Sequence, residues 1–289
     1  MRITYNWQSF QASRHVDDRL ARLRLVLRAA RQTSRYLPLL ERAGLETQYA
    51  IRSVASIEDA LSRLPAIDPD ELRNAPMAFW NRRGPAAPKC EFLYPFHPRP
   101  RTAVIMPHAS GPGFAKSSGL RIMGLNWRKK LAGSGVAAIA APIDVLREMS
   151  AAIKNGELTL GPLTNAVIAF TGVNQGDLTG QDRELLWDVF QVPVFEQYLG
   201  FDGRLVAWEC EAHEGLHIRS SEAVMEESDG AGSELLMTSL TNLTYPALRL
   251  STGLYGALAS GPCECGKNTE KLYRLWPAGA AVYEELAVA

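Results

Sequence analysis

The chain has 289 residues, 46% of them hydrophobic, which is enough for one large or two modest domains with a sizeable core. Thirty-one basic residues balance thirty-one acidic ones, so no net field draws the molecule to nucleic acid or to an anionic membrane, and neither is expected as a partner. The start, Met1-Arg2-Ile3-Thr4-Tyr5-Asn6, has no apolar signal core, and no later run approaches the roughly 20 apolar residues of a membrane span, so a cytoplasmic protein is expected. Four cysteines are too few for a disulfide scaffold in a chain this long, and their clustering with histidine favours thiolate ligands in a reducing compartment.

Val16, Leu20, Leu23, Leu27 and Ala30 recur at spacings of three and four, which predicts a helix over residues 15–44 with Gly44 as its stop. Seven arginines from Arg14 to Arg35, interrupted by Asp17 and Asp18, make a solvated face of that helix. Ser56-Ile57-Glu58-Asp59 opens a short helix ending at Pro65, and Asp68-Pro69-Asp70-Glu71-Leu72 opens another. In each a side-chain oxygen can cap free backbone N–H groups, and Pro69 takes the first helical position, where its missing donor costs nothing. Pro, Arg and Gly crowd the stretch from Pro76 to Pro100, which reads as a loop closing a helical N-terminal segment, residues 1–95.

Thr102-Ala103-Val104-Ile105-Met106 predicts a buried strand, followed by a glycine- and serine-rich loop from His108 to Gly119. Small residues there would let backbone N–H groups approach an anion. Ala115 stands where a Walker loop needs glycine before its lysine, so a plain strand-to-helix loop is expected. Ile143, Leu146, Met149 and Ile153 form a helical stripe capped by Asn155-Gly156. Ala166–Phe170 reads as a buried strand, Thr179 with Asp182 opens a helix through Leu186 and Val189, and Val192–Tyr198 reads as a further strand. This alternation predicts an α/β layer fold with a mostly parallel sheet over residues 96–205. Beyond Cys210 the helical pattern fades. His217-Ile218, Leu235-Leu236-Met237-Thr238 and Leu248-Arg249-Leu250 read as strands separated by turns at Asp229-Gly230 and Gly253, giving a β-rich subdomain over 206–289.

The chemistry concentrates in Glu209-Cys210-Glu211-Ala212-His213-Glu214-Gly215-Leu216-His217 and Cys263-Glu264-Cys265-Gly266. Thiolates and imidazole suit Zn²⁺, which takes four ligands in a tetrahedron, and Cys210, His217, Cys263 and Cys265 supply a Cys₃His set. Four protein ligands close the shell, so the expected zinc is structural. The alternatives are ordinary buried cysteines, or an open site with His213 as ligand or acting on a metal-bound water. Cys90 beside Lys89 reads as a spectator and His97, between prolines, as exposed. His108 near Ser110 makes no triad by sequence proximity alone, and Glu226-Glu227 and Glu284-Glu285 read as solvated surface.

Several further pieces stand in order: Phe170-Thr171-Gly172 with Leu178-Thr179 and Arg183, Tyr198-Leu199-Gly200, Glu209-Cys210-Glu211 with Gly215-Leu216-His217-Ile218, Glu234 to Thr241, Pro246-Ala247-Leu248-Arg249 with Ser251-Thr252-Gly253, and Cys263-Glu264-Cys265-Gly266. With them the span from about 161 to 272 resembles the phenylacetate-CoA ligase-like branch of the acyl-adenylate-forming, AMP-binding ligases. Tyr36-Leu37-Pro38, Ser56-Ile57-Glu58-Asp59 and Leu64-Pro65 are similar to that family's opening helical segment. The resemblance implies that the three segments are parts of one ligase-like N-terminal domain and that the Cys, His and Cys-x-Cys elements bind a structural zinc. It further implies that Tyr198, Gly200, Asp202, Arg249 and Thr252 mark a vestigial nucleotide site.

The departures from the family carry the functional expectation. Only Ser110-Gly111-Pro112-Gly113 faintly matches the phosphate loop. The Tyr-Gly-x-Thr-Glu motif, whose glutamate helps hold Mg²⁺, becomes Tyr198-Leu199-Gly200-Phe201-Asp202-Gly203, and the Arg-Thr-Gly-Asp motif, whose aspartate grips the ribose, becomes Ser251-Thr252-Gly253-Leu254. The chain also ends soon after Cys265, where the family continues into a mobile C-terminal domain. Stabilisers of this kind are worth about 2.7–4 kcal/mol each, so losing several costs many orders of magnitude in rate. The sequence therefore predicts a degenerate, zinc-containing pseudoenzyme with no working ATP, AMP or Mg²⁺ chemistry, serving as a binding or accessory protein for a small carboxylic acid, a nucleotide fragment or a partner protein. The alternatives are an ATP-dependent aryl or acyl acid ligase completed by a separate C-terminal domain, and a zinc-dependent hydrolase.

Overall fold

The computed structural model describes residues 7–85, 89, 92–95, 99–106, 114–229 and 233–277, with side chains from 18 to 273 within those ranges. Cys90, His97, His108, Ser110-Gly111-Pro112-Gly113 and Glu284-Glu285 lie outside the described residues. The chain divides into two units. One comprises Met1–Pro88, Ser220–Val224 and Met237–Ser251, the other Lys89–Arg219, Met225–Leu236 and Thr252–Ala289.

In the first unit the helices are α1 (Trp7–Ala30), α2 (Leu37–Arg42), α3 (Gln48–Ser53), α4 (Ile57–Ser62) and α5 (Pro69–Asn74). Local chemistry sets their starts. Thr47 Oγ1 accepts the Ala50 N–H, Ser56 Oγ the Asp59 N–H and Asp68 Oδ1 the Asp70 N–H, each satisfying a donor that the first helical turn leaves open. The helix expected over 15–44 is two helices. Thr33 breaks it, its hydroxyl donating to the Ala30 carbonyl and accepting the Tyr36 N–H, and Pro38 then sits in the first turn of α2.

The long-range ties of this unit run to residues 237–251. Tyr36 is 1% exposed, packs edge-on against Phe79 at 5.5 Å, and its hydroxyl accepts the Leu248 N–H at 3.0 Å. Asn81 Nδ2 donates to the Leu243 carbonyl at 2.9 Å, and the Ile67 N–H to the Arg249 carbonyl at 2.9 Å. Arg249 sits at φ 47°, a left-handed backbone, and its guanidinium donates to the Leu64 carbonyl. That left-handed residue is why the strand expected over Leu248–Leu250 begins only at Leu250.

The strands are β1 (Thr102–Ile105), β2 (Leu120–Met123), β3 (Ala138–Pro142), β4 (Ala166–Gly172), β5 (Val194–Leu199), β6 (Leu205–Glu209), β7 (Leu216–Ile218), β8 (Ala223–Glu227), β9 (Glu234–Ser239), β10 (Leu250–Pro262) and β11 (Asn268–Pro277). Helices α6 (Trp127–Leu131), α7 (Ile143–Lys154) and α8 (Gly180–Phe190) lie between β2 and β5 in the chain. Among the described residues they form an 11-stranded sheet in the order β2-β1-β3-β4-β5-β6-β7-β11-β10-β9-β8.

The parallel sheet expected over residues 96–205 is present in β1 to β5, and antiparallel strands from β6 onward extend it into a mixed sheet. β2, β1, β3, β4 and β5 pair in parallel, whereas β5-β6, β6-β7, β7-β11 and β10-β11 are antiparallel. The cause is connection length: α7 and α8 carry crossovers to parallel neighbours, while the short turns after β5, β6 and β10 can join only antiparallel strands. Alternate residues of the parallel strands feed two cores. Ile105, Ile139, Ala141, Val167 and Val194 pack with Leu146, Met149 and Leu186 of α7 and α8. Val104, Ala140, Ile168, Phe170 and Phe195 pack in a second cluster with Phe92, Phe114 and Trp208. Gly172, at φ 137°, closes β4, and a Cβ there would stand 2.2 Å from the Leu199 carbonyl oxygen. The Thr179 and Asp182 expected to open α8 form a complete capping box.

Replacing Tyr36 with Phe removes the acceptor of a buried N–H in the first unit. A loss of about 1–3 kcal/mol is expected, the cost of an orphaned buried donor, and urea unfolding of the two proteins at equal slope measures it.

Candidate metal centre

Two turns of the second unit make the site. Cys210 follows directly on β6, residues 211–215 turn the chain, and β7 carries His217. Fifty-three residues after Cys210 along the chain, Cys263 and Cys265 lie in the turn between β10 and β11. The pairing of β7 with β11, Lys271 opposite His217 and Leu272 opposite Leu216, lays the second turn beside the first. Gly215, at φ 80°, makes this approach possible, since a Cβ there would stand 2.4 Å from the Leu272 carbonyl oxygen. The second turn is held by its own backbone, the Cys263 N–H donating to the Lys267 carbonyl and the Gly266 N–H to the Cys263 carbonyl, both at 2.9 Å.

The four donor atoms lie within 4.8 Å of one another. Cys210 Sγ is 3.6 Å from Cys263 Sγ, and His217 Nε2 is 3.3 Å from both Cys210 Sγ and Cys265 Sγ. A zinc tetrahedron with Zn–S of about 2.3 Å and Zn–N of about 2.0–2.1 Å has edges of about 3.8 Å between sulfurs and about 3.5 Å between sulfur and nitrogen, so the donors stand close to tetrahedral positions.

Unmetallated thiols explain this arrangement less well. With Nδ1–H donating to Thr269 Oγ1 at 2.6 Å, Nε2 offers one lone pair, yet two sulfurs crowd it. The Thr269 contact also fixes the ring and leaves Nε2 as the ligating atom, the usual supporting arrangement around a metal-bound histidine. Burial, together with the Lys271 and Lys267 charges, lowers the pKa of His217 and keeps it in the neutral form a metal needs. Burial pushes the Cys210 thiol up to about 12, so a thiolate there requires a cation beside it. The donor set can thus hold a metal such as zinc.

His213 is engaged elsewhere. Its backbone is left-handed at φ 53°, its ring stacks on Phe195 at 4.8 Å, and Nδ1 meets Glu209 Oε1 at 2.8 Å. Glu209, 4% exposed, also accepts the Glu196 N–H at 2.7 Å and Arg183 Nη2 at 3.0 Å. Beside it Glu196 accepts the Thr171 hydroxyl at 2.6 Å, with Arg183 3.7 Å from its other oxygen. No sequence signal announced this polar network, because it draws on β4, β5, β6 and α8. Burial pushes the Glu196 carboxyl up to about 7, against the pull of Thr171 and Arg183.

The residues implied as a nucleotide site are placed as follows. Tyr198 is fully buried on β5. Gly200 and Asp202 form the β5–β6 turn, where the Gly200 N–H donates to the Arg204 carbonyl at 2.8 Å and Asp202 Oδ1 accepts the Arg204 N–H at 3.2 Å. Thr252 is 6% exposed and its hydroxyl donates to the Leu235 carbonyl at 2.7 Å. Arg249 belongs to the first unit and the other four to the second. Leu254, which the resemblance noted above sets where a ribose-binding carboxylate was expected, is 7% exposed. Gly253 and Leu254 lie within β10 rather than in the turn expected at Gly253, and Glu234 Oε1, from the start of β9, accepts the Gly253 N–H at 3.2 Å.

A group whose folded-state pKa is raised stabilises most below its unfolded pKa, and that contribution is lost as pH rises through the folded value. Glu196 should therefore make the protein less stable as pH climbs from about 4.5 to about 7. Glu196→Gln, which still accepts from Thr171, should flatten this fall and gain on the order of 2 kcal/mol over the parent at pH 8, as read from denaturant midpoints across the range.

No family model matches the chain, and no curated protein matches it. Solved structures share its fold. 2-Hydroxyisobutyryl-CoA ligase in an open conformation, in complex with 2-HIB-AMP and CoA, superposes with a TM-score of 0.67 over 92% of this chain and 70% of that one, at 13% identity. The same ligase in its postadenylation state with 2-HIB-AMP gives 0.65 over 91% and 67%, at 13% identity. Its thioesterification state with 2-HIB-AMP and CoA gives 0.61 over 91% and 67%, at 14% identity.

Proposed function

We propose that this chain, which has the fold of adenylate-forming acyl-CoA ligases, is a zinc-clamped pseudoenzyme that binds rather than activates: a ligand-binding or accessory protein for a small carboxylic acid or its adenylate. The observation that supports this reading is the state of the carboxylates at the two places where the resemblance puts the Mg²⁺ and ribose contacts. On the alignment that the resemblance implies, Gly203 and buried Leu254 take the acidic positions, while of the acids nearby Asp202 accepts the Arg204 N–H of its own turn and Glu234, at the start of β9, accepts the Gly253 N–H of the neighbouring strand β10. A carboxylate already accepting a backbone N–H is poorly placed to gather a metal or a diol as well.

Zinc in this reading is structural. Cys210, His217, Cys263 and Cys265 would hold it, and its chemistry would be a cross-link between the β6–β7 and β10–β11 turns with no position left for water. Thiolate ligation also fits a reducing compartment. Among the described residues no helix is long and apolar enough to cross a membrane.

Pyrophosphate release from ATP, assayed with a panel of short acyl and aryl acids, is expected to stay at background, while calorimetry detects binding of an acid or of AMP. Acid-dependent pyrophosphate release that falls in Asp202→Asn would contradict the reading and establish an acid ligase that uses the neighbouring aspartate.

A further inference from the structure

Three thiolates and one neutral imidazole around Zn²⁺ leave a centre with one net negative charge, and a buried net charge is costly unless an opposite one stands near it. Lys271 is the group placed to supply that charge. It lies directly opposite His217 in the antiparallel β7–β11 register, so the two side chains share a face of the sheet. Its side chain is 3% exposed, which is rare for lysine without a buried anion. The carboxylate within reach, Glu214 Oε2 at 3.4 Å, is itself 41% exposed, and the other neighbour is the neutral Tyr273, whose side chain hydrogen-bonds the ammonium and whose ring centroid lies 5.1 Å from it. Neither is a buried counter-charge.

Two further charged groups stand near the centre, one committed elsewhere and one at its rim. Glu209 is committed to Arg183, His213 and the Glu196 N–H. Lys267, in the turn that carries the two cysteines, holds its ammonium 4.9 Å from the Trp208 ring centroid, and that ring packs against His217 at 5.3 Å.

We propose that Lys271, buried across the strand pair from His217, is the charge-compensating residue of a three-thiolate metal centre, with Lys267 assisting from the rim. The metal then makes a buried ammonium tolerable, and the ammonium makes a buried anionic centre tolerable. Loss of either leaves the other uncompensated.

The inference rests on the metal reading of the cluster, so the zinc content of the wild-type protein is measured first. A wild type that carries no zinc overturns the metal reading itself. Zinc transfer from the loaded protein to a chromophoric chelator is then compared for wild type, Lys271→Met, Lys271→Gln and Lys271→Arg, with circular dichroism reporting the fold. Gln retains a polar end for Glu214 and Tyr273 but no charge, which separates charge from packing if the Met variant fails to fold. Zinc affinity is expected to fall about ten- to hundredfold in Gln and Met, the usual cost of losing a group that supports metal ligands, and to be largely kept in Arg. A Gln variant that holds zinc like the wild type, or an Arg variant as weak as Gln, overturns the role of Lys271.

Discussion

The pairing of β7 with β11 is the constraint on which the candidate site depends. A two-residue register, His217 with Lys271 and Leu216 with Leu272, joins segments more than fifty positions apart in the chain and sets three sulfurs and an imidazole nitrogen within 4.8 Å. Without it the Cys-x-Cys turn would be a bare hairpin tip and Cys210 a buried thiol. With it, each piece gains a reason: Gly215 for the close backbone approach, Thr269 for the orientation of His217, Lys271 for the charge. A metal bound there and the strand pairing are mutually supporting, because the ion is held only by the folded arrangement and its binding energy is therefore folding energy.

The fold and the proposed loss of adenylation rest on different residues. The parallel strands and the crossovers through α7 and α8 need only apolar alternation and good caps, both present. In the proposed reading the charges that adenylation needs are missing, with Gly203 and Leu254 at the acidic positions and Asp202 and Glu234 each already accepting a backbone N–H. The buried acids it does possess, Glu196 and Glu209, are tied to Thr171, Arg183 and His213, within the protein itself.

What the sequence disclosed, and what it hid, follows the range of the interactions. Helix starts at Ser56, Asp68 and Thr179 were legible because a cap is a contact between residues two or three apart. The four candidate donors stood out because cysteine and histidine are scarce and concentrated in two short stretches, and the structure brings them together. The break in the first helix was hidden, since the apolar period ran through it and only the hydroxyl of Thr33 and the ring of Pro38 opposed it. The parallel strands β1 to β5 were legible from the alternation of strands and helices, whereas the continuation of the same sheet through the antiparallel strands from β6 onward was hidden, because it depends on long-range pairing. The Glu196–Arg183–Glu209 network and the buried position of Lys271 could not be read at all, for each depends on a register that brings together residues from separate strands and a helix.

X-ray absorption at the zinc edge of the purified protein tests the central claim most directly. The account predicts a first shell of three sulfurs at about 2.3 Å and one nitrogen at about 2.0–2.1 Å with no oxygen ligand. A shell containing a water-type oxygen in place of one of these donors would contradict the closed clamp and point to an open, reactive metal.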